Sequence, residues 1–178
     1  MFTWLANRSR ASRKARELYG AVVAQSRHPA FYRALGVADT PEGRYELVAL
    51  HLALLLERLA RPDITGSSLA RRTFETFITD MDANIREMGV GDPSIPRRVK
   101  RAAAGVRDRA LTYRAALALA DDTALVAALA THVYQGAENP AVGQLARYVR
   151  SAAAALDQQH PAALLDGITH YPDPEARP

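Results

Sequence analysis

Hydrophobic positions recur three and four residues apart along most of the chain, and runs of β-branched residues are scarce. This spacing places apolar side chains on one face of successive helices, and the abundant alanine and leucine are strong helix formers. A length of 178 residues fits one domain with a buried core. The pattern predicts an all-α fold, a single-domain compact helical bundle of about six main helices with short connections.

Capping residues and helix breakers set the expected boundaries. Pro29 disfavours helix in the preceding residue. Thr40 with Pro41 is typical of an N-cap followed by a first-turn proline, and Gly89 is a natural C-terminal stop. The other expected starts are Ser67 or Ser68, Ser94, Asp121 and Asn139. Long helices are predicted at about 11–26, 41–60, 68–88, 95–119, 122–135 and 140–158, with short turns near 31–35 and 162–165.

The two ends of the chain differ from its middle. Residues 1–14 are predicted to form a basic arm, residues 15–165 the helical domain and residues 166–178 a flexible tail. Phe2, Trp4 and Leu5 beside an arginine-rich stretch indicate either a weak interfacial anchor or a disordered segment. The apolar run 47–56 is shorter than the roughly 20 residues that span a bilayer, and no secretory signal is evident. We expect a bacterial, cytoplasmic protein, at most peripheral at the inner membrane.

The residue types needed for most catalytic chemistry are missing or scattered. There is no cysteine, which excludes disulfides, thiolate nucleophiles and thiolate-bound zinc or iron–sulfur clusters. The five histidines follow no His-Glu-x-x-His pattern, and neither a Gly-x-Ser-x-Gly turn nor a phosphate-binding loop is present. His51, inside an apolar helix, is interpreted as a hydrogen-bonded core residue rather than a ligand or proton carrier. We expect no catalytic residue, cofactor, metal or small-molecule substrate.

Charge is distributed unevenly along the chain. Residues 1–114 carry 20 Arg and Lys against 12 Asp and Glu, whereas residues 115–178 carry 3 against 7. The helix after Pro96 concentrates basic residues, which predicts contact with an anionic partner such as ribosomal RNA or lipid headgroups. The alternative is an ordinary solvated face. The residues concerned are Arg97, Arg98, Lys100, Arg101, Arg107, Arg109 and Arg114.

The segment 80–92 joins an acidic helix end to a double-glycine turn. It mimics the opening of a calcium loop, but Ile85 and Gly91 occupy the positions that would need glycine and glutamate. The acids are therefore read as solvated, with a helix-end salt bridge to Arg86. Gly89 is expected to adopt a positive φ and Gly91 to turn the chain, which creates a corner that either packs internally or presents a partner surface.

Several earlier motifs accompany this segment in a fixed order. They are Leu18-Tyr19-Gly20, Ala24-Gln25-Ser26-Arg27, Pro29-Ala30-Phe31-Tyr32, Gly36-Val37, Asp39-Thr40, Gly43-Arg44-Tyr45-Glu46 and Leu50-His51. Together with residues 80–92 they resemble the ubiquinol-cytochrome c chaperone family, over roughly residues 15–114. The chain departs from the family pattern at 106–109, where it has Val-Arg-Asp-Arg in place of the usual Phe-Tyr-Gly-Arg.

The resemblance implies an α-helical, non-enzymatic assembly factor for the respiratory cytochrome bc complex. Such a factor would bind newly made cytochrome b or a small partner assembly protein, at the membrane or ribosome surface. The alternative is a basic RNA- or ribosome-binding module, or a divergent interaction protein without a respiratory client, and the aromatic residues could equally be core. The partner-binding residues implied by resemblance are Tyr19, Phe31, Tyr32, Arg44, Asp80, Asp82, Arg86, Glu87, Gly89, Gly91 and Asp92.

Overall fold

The structure is a computed structural model that describes residues 2–64, 67–89 and 92–175. All regular elements in these residues are helical, which confirms the all-α prediction. Six long helices, two five-residue helices and one 3-10 turn at Asp92–Ser94 are present there, so the expectation of about six main helices is also confirmed. The helices are α1 Phe2–Ser26, α2 Pro29–Arg33, α3 Pro41–Leu59, α4 Ser67–Glu87, α5 Ile95–Leu117, α6 Thr123–His132, α7 Val142–Gln158 and α8 Pro161–Leu165.

Helix α3 is the centre of the bundle. It packs against α1, α4, α5 and α7, and its apolar run between Leu47 and Leu55 is buried on nearly every side. A helix that is apolar all round is stable in water only when neighbours cover all of its faces. Phe31 from α2 and Phe77 from α4 complete the centre of the core, where both are fully buried.

Several helix ends follow the capping chemistry expected from the sequence. The Thr40 hydroxyl accepts a 3.1 Å hydrogen bond from the Gly43 amide at the start of α3. Gly89 has a φ of +69° just beyond α4, as expected of a C-terminal glycine. The start of α6 differs from the prediction because Asp122 is the N-cap, while Asp121 binds the Thr123 amide at 2.8 Å.

The two ends of the chain also differ from expectation. Helix α1 begins at Phe2 rather than near residue 11, because no proline or glycine interrupts the chain before Gly20. For residues 2–8 the structure describes the backbone alone, so the interfacial anchor expected from Phe2, Trp4 and Leu5 stays a prediction. Among the described residues, no helix has the length and apolar character required to cross a bilayer.

Part of the C-terminal segment is docked, where the sequence predicted a flexible tail over 166–178. The Tyr171 hydroxyl donates to the His51 carbonyl at 3.1 Å, and its ring lies 5.1 Å from the His51 imidazole. The Pro172 carbonyl accepts a 2.9 Å hydrogen bond from Gln25. Burial of one large aromatic ring therefore holds this stretch against α1 and α3.

Candidate functional site

An open groove of about 1300 Å³ lies among α1, α3, α4 and α5, and the end of α6 with the turn after it also lines the groove, through Thr131, His132, Gln135 and Gly136. We call it the α1–α5 groove. Its apolar lining comes from Val23 of α1, Val48 of α3, Met81 and Ile85 of α4, and Met88 just beyond the end of α4. Charged side chains of both signs surround this apolar strip, so the groove suits a ligand with one apolar and one polar face.

The apolar strip exists because the hydrophobic stripe of α4 continues past the helices that cover it. Phe77 is fully buried, Met81 and Ile85 are half-buried, and Met88 at the helix end is 61% exposed. Steps of four, four and three residues place these four side chains on one helical face, but this spacing does not indicate where the neighbouring helices stop covering that face. An exposed methionine at the edge of an apolar groove is typical of an adaptable binding surface.

Two tyrosines of the groove connect neighbouring helices. The Tyr19 hydroxyl of α1 donates to Asp80 of α4 at 2.7 Å, and the Tyr45 hydroxyl of α3 donates to the Ala102 carbonyl of α5 at 2.9 Å. Burial raises the pKa of Tyr45 to about 12, so the phenol stays protonated and can donate. The second bond requires Gly105, because a Cβ at that position would collide with the Tyr45 hydroxyl.

A buried ion pair lies beside the groove. Arg109 binds Glu46 with two parallel hydrogen bonds, one of them 2.7 Å long between Nε and Oε2. The two side chains are only 15% and 10% exposed. A bidentate guanidinium–carboxylate pair satisfies both charges and fixes α5 against α3. Arg109 is therefore committed to an internal partner, which differs from the anionic-surface role expected of the basic residues on the helix after Pro96.

The other basic residues of α5 lie in different environments. Arg98 and Arg101 line the groove, whereas Arg97 and Lys100 are exposed without lining it. Arg107 lies 5.7 Å above the Phe74 ring. In a further contact, Arg114 approaches Glu57 at 3.8 Å. The sequence spacing of these residues thus does not produce one continuous surface, because the helix turns successive pairs toward different neighbours.

The acidic segment contributes to the groove from the end of α4. Asp80 accepts hydrogen bonds from Tyr19 and from Asn84, and Glu87 also lines the groove. Asp82 instead forms the salt bridge to Arg86 expected from the sequence, with an Nε–Oδ2 distance of 2.7 Å. Gly91 lies outside the described residues, and Asp92 begins the 3-10 turn before α5.

The remaining residues implied by the family resemblance separate into core and surface. Phe31 is fully buried, with its ring 5.0 Å from Tyr148, so it belongs to the core rather than to a partner surface. Tyr32 lines the groove and donates to the Ser26 carbonyl at 2.8 Å. Arg44 also lines the groove and pairs with Asp39 at 2.7 Å. The structure therefore brings Tyr19, Tyr32, Arg44, Asp80 and Glu87 together in one groove.

His51 is the buried, hydrogen-bonded core residue predicted from the sequence. Its Nδ1 lies 2.7 Å from the Leu47 carbonyl, which can only accept, so Nδ1 carries the proton. Nε2 is then free to accept from the Tyr148 hydroxyl at 2.7 Å. Complete burial lowers the His51 pKa to about 4, which keeps the ring neutral. His51 is thus part of a neutral, hydrogen-bonded network in the core.

The groove is the main candidate site of the molecule. Within the described residues, no cluster of three or more His, Asp or Glu side chains is placed to hold a metal ion. The prominent feature of these residues is an open, partly apolar groove in a helical bundle, a geometry suited to binding a partner.

Comparison with known proteins assigns the family. Residues 33–171 match the family model described as ubiquinol-cytochrome C chaperone, and the chain belongs to this family. It is also similar to a solved structure, the crystal structure of the Cbp3 homolog from Brucella abortus. The two share 34% sequence identity over 98% of each chain, with a TM-score of 0.85. No curated protein matches the chain. Family membership points to a chaperone or assembly role rather than to catalysis.

Proposed function

We propose that this protein is a non-enzymatic assembly factor for the respiratory cytochrome bc complex, and that it binds newly made cytochrome b or a partner assembly protein in the α1–α5 groove. The observation that carries the proposal is the uncovered end of the α4 stripe, where Met81, Ile85 and Met88 meet the groove. A chaperone must cover apolar surface of its client until other subunits replace it, and this groove offers an apolar surface for that purpose.

The groove can bind without rearranging the core. Its walls are connected by Tyr19 with Asp80 and by Glu46 with Arg109, so the helices are held in place before a partner arrives. A preformed site loses less conformational entropy on binding than a flexible one. The mouth is adaptable, because the Met88 side chain is unbranched and largely exposed.

The place of action is part of the same proposal. Cytochrome b is a membrane protein, so its chaperone would work at the cytoplasmic face of the inner membrane. The exposed bases Arg97 and Lys100 on α5 do not line the groove and are free to face an anionic surface while the groove is occupied. This arrangement supports a peripheral location at that membrane.

Affinity capture tests the proposed function. The tagged protein is isolated from gently solubilised membranes of its own host, and the enrichment of cytochrome b is measured by mass spectrometry. We expect cytochrome b with the wild-type chain and at least a roughly tenfold loss with Met88→Asp, which introduces a charge on the apolar strip.

Leu111→Asp provides the matched control. Leu111 is 58% exposed, against 61% for Met88, but it does not line the groove, so its replacement is expected to leave capture unchanged. Absence of cytochrome b from the wild-type sample would contradict the assembly role. Equal capture of cytochrome b by both variants would mean that the client-binding site lies outside the groove.

A second candidate function, binding to ribosomal RNA, is favoured by the exposed pair Arg97 and Lys100. If phosphate contacts dominate, co-sedimentation with ribosomes should weaken steeply as salt is raised. Arg97→Glu with Lys100→Glu should abolish it, whereas Met88→Asp should not. Ribosome binding that is insensitive to salt and to this double substitution would argue against the second candidate.

A further inference from the structure

We propose that the occupant of the α1–α5 groove is an amphipathic helix of a protein partner, with an acidic flank that lies against Arg98 and Arg101 of α5. This inference rests on the proposed function only in taking the groove as the partner site. It adds the chemistry and the orientation of the segment that binds there.

Arg98 and Arg101 are the first reason. Both line the groove and are exposed, and neither forms an ion pair with any residue that the structure describes. Two other arginines of the groove have acidic partners, in the pairs Arg44–Asp39 and Arg109–Glu46, whereas Arg27 beyond the end of α1 forms no ion pair with a described residue. Two of the three groove arginines without an acidic partner therefore lie side by side on the wall formed by α5.

The start of α5 is the second reason. Its first turn contains no acidic residue, and the first acid of the helix is Asp108. The N-terminal end of a helix carries a partial positive charge, which favours carboxylates and disfavours arginine or lysine. Arg97 and Arg98 in the first turn run against this preference, and Lys100 and Arg101 add two further positive charges in the next turn. Unfavourable local charge of this kind is expected where a partner compensates for it. Acidic side chains from a bound helix would supply that compensation.

The lining of the groove is the third reason, because it discriminates among classes of partner. A membrane-spanning segment is apolar all round over roughly 20 residues, and it would bury the charged rim without satisfying it. A nucleic acid would place phosphates beside Glu42 and Glu87, which line the same groove. An amphipathic helix instead sets its apolar face on Val48, Met81 and Ile85 and leaves its charged flank at the rim.

Two designed peptides test the inference directly. Both are fluorescein-labelled helices of about 18 residues with leucine at i, i+3, i+4 and i+7, and they differ only in whether the flanks carry glutamate or lysine. Fluorescence anisotropy with the full-length protein measures their dissociation constants. We expect the glutamate peptide to bind at least about tenfold more tightly than the lysine peptide at low salt.

Paired substitutions on α5 locate the effect. Arg98→Glu with Arg101→Glu is expected to reverse the preference so that the lysine peptide binds more tightly. Arg97→Glu with Lys100→Glu changes the net charge by the same amount outside the groove and is expected to leave the preference in place. Circular dichroism checks that both variants keep the helical content of the wild-type protein.

Three results would overturn the inference. Equal binding of the two peptides would contradict the acidic flank. Failure of both peptides to bind would contradict an amphipathic helix as the occupant. An equal effect of the two double substitutions would show that the preference for the glutamate peptide comes from the net charge of the protein and not from the groove. Each of these outcomes is distinct from failure of the proposed function, which is decided by cytochrome b capture with Met88→Asp and Leu111→Asp.

Discussion

The Tyr19 hydroxyl donates a 2.7 Å hydrogen bond to Oδ2 of Asp80 and thereby joins α1 to α4 beside the groove. Burial and the neighbouring Asp80 carboxylate raise the pKa of Tyr19 well above its ordinary value, so the phenol remains a donor at physiological pH. The tyrosine ring also packs edge-on against Phe77, with a centroid distance of 6.2 Å. Tyr19 therefore has one end in the core and the other at the groove.

Tyr19→Phe should separate these two contributions. The ring contact with Phe77 is kept and the hydrogen bond to Asp80 is lost, so we expect the free energy of unfolding to fall by about 1 kcal/mol. Chemical denaturation measures this change. Asp80→Asn keeps an acceptor oxygen and should be less damaging than Tyr19→Phe. If Tyr19→Phe is as stable as the wild-type protein, the bond does not contribute to joining α1 and α4.

Arg109→Met should be among the most destabilising changes on α5. It leaves the Glu46 carboxylate in a poorly hydrated site without its partner, and breaking a buried ion pair in this way costs about 3–5 kcal/mol. Arg114→Met is the matched control, because Arg114 is 62% exposed and its ion pair with Glu57 is long, at 3.8 Å. Loss of an exposed pair should change stability by less than about 1 kcal/mol. Equal effects in thermal or chemical unfolding would contradict the assigned importance of the Glu46 pair.

The fold was largely predictable because local signals and burial agree. Thr40 with Pro41 and Gly89 mark helix ends through backbone chemistry that acts within a few residues. The apolar run around His51 likewise predicts the central helix, and the histidine lies in the core as expected. Tyr171 was not predictable, because its burial depends on a contact with a residue 120 positions earlier.

The groove was only partly predictable. The sequence grouped Tyr19, Tyr32 and Asp80 through family resemblance, yet it could not separate them from Phe31, which occupies the core. Nor could the sequence show which arginines of α5 line the groove and which have an internal partner. Helical periodicity fixes which residues share a face but not what that face contacts. Arg109 illustrates the point, since its buried partner Glu46 is 63 positions away.

Gly105→Ala tests the close contact between α3 and α5. The added Cβ would collide with the Tyr45 hydroxyl and displace it from the Ala102 carbonyl, so we expect a loss of about 1–3 kcal/mol in the free energy of unfolding. Gly20→Ala is the control, because a Cβ there meets no atom within 4 Å. Alanine is the better helix former, so Gly20→Ala should stabilise the protein by about 1 kcal/mol. Stabilisation by both substitutions would show that α3 and α5 can separate without cost.

His51 should make the protein less stable in mild acid. Its pKa is about 4 in the folded protein, against 6.5 for an ordinary histidine, because complete burial disfavours the charged ring. As the pH falls from about 6.5 to 4, the unfolded chain binds a proton at this site and the folded protein does not. The free energy of unfolding should therefore fall by about 3 kcal/mol over this window, and the full contribution is present only above pH 6.5.

His51→Gln isolates this contribution from that of other acid-titrating groups. The titratable side chains facing the imidazole, Tyr148 and Tyr171, stay neutral in this range because burial raises the pKa of both. We expect His51→Gln to flatten the decline in stability between pH 6.5 and 4, whereas His170→Gln, at an exposed position, should retain it. Urea denaturation at a series of pH values gives the three slopes. An unchanged slope in His51→Gln would mean that the imidazole can take up a proton in the folded protein, and the neutral core network of His51, Leu47 and Tyr148 would be wrong.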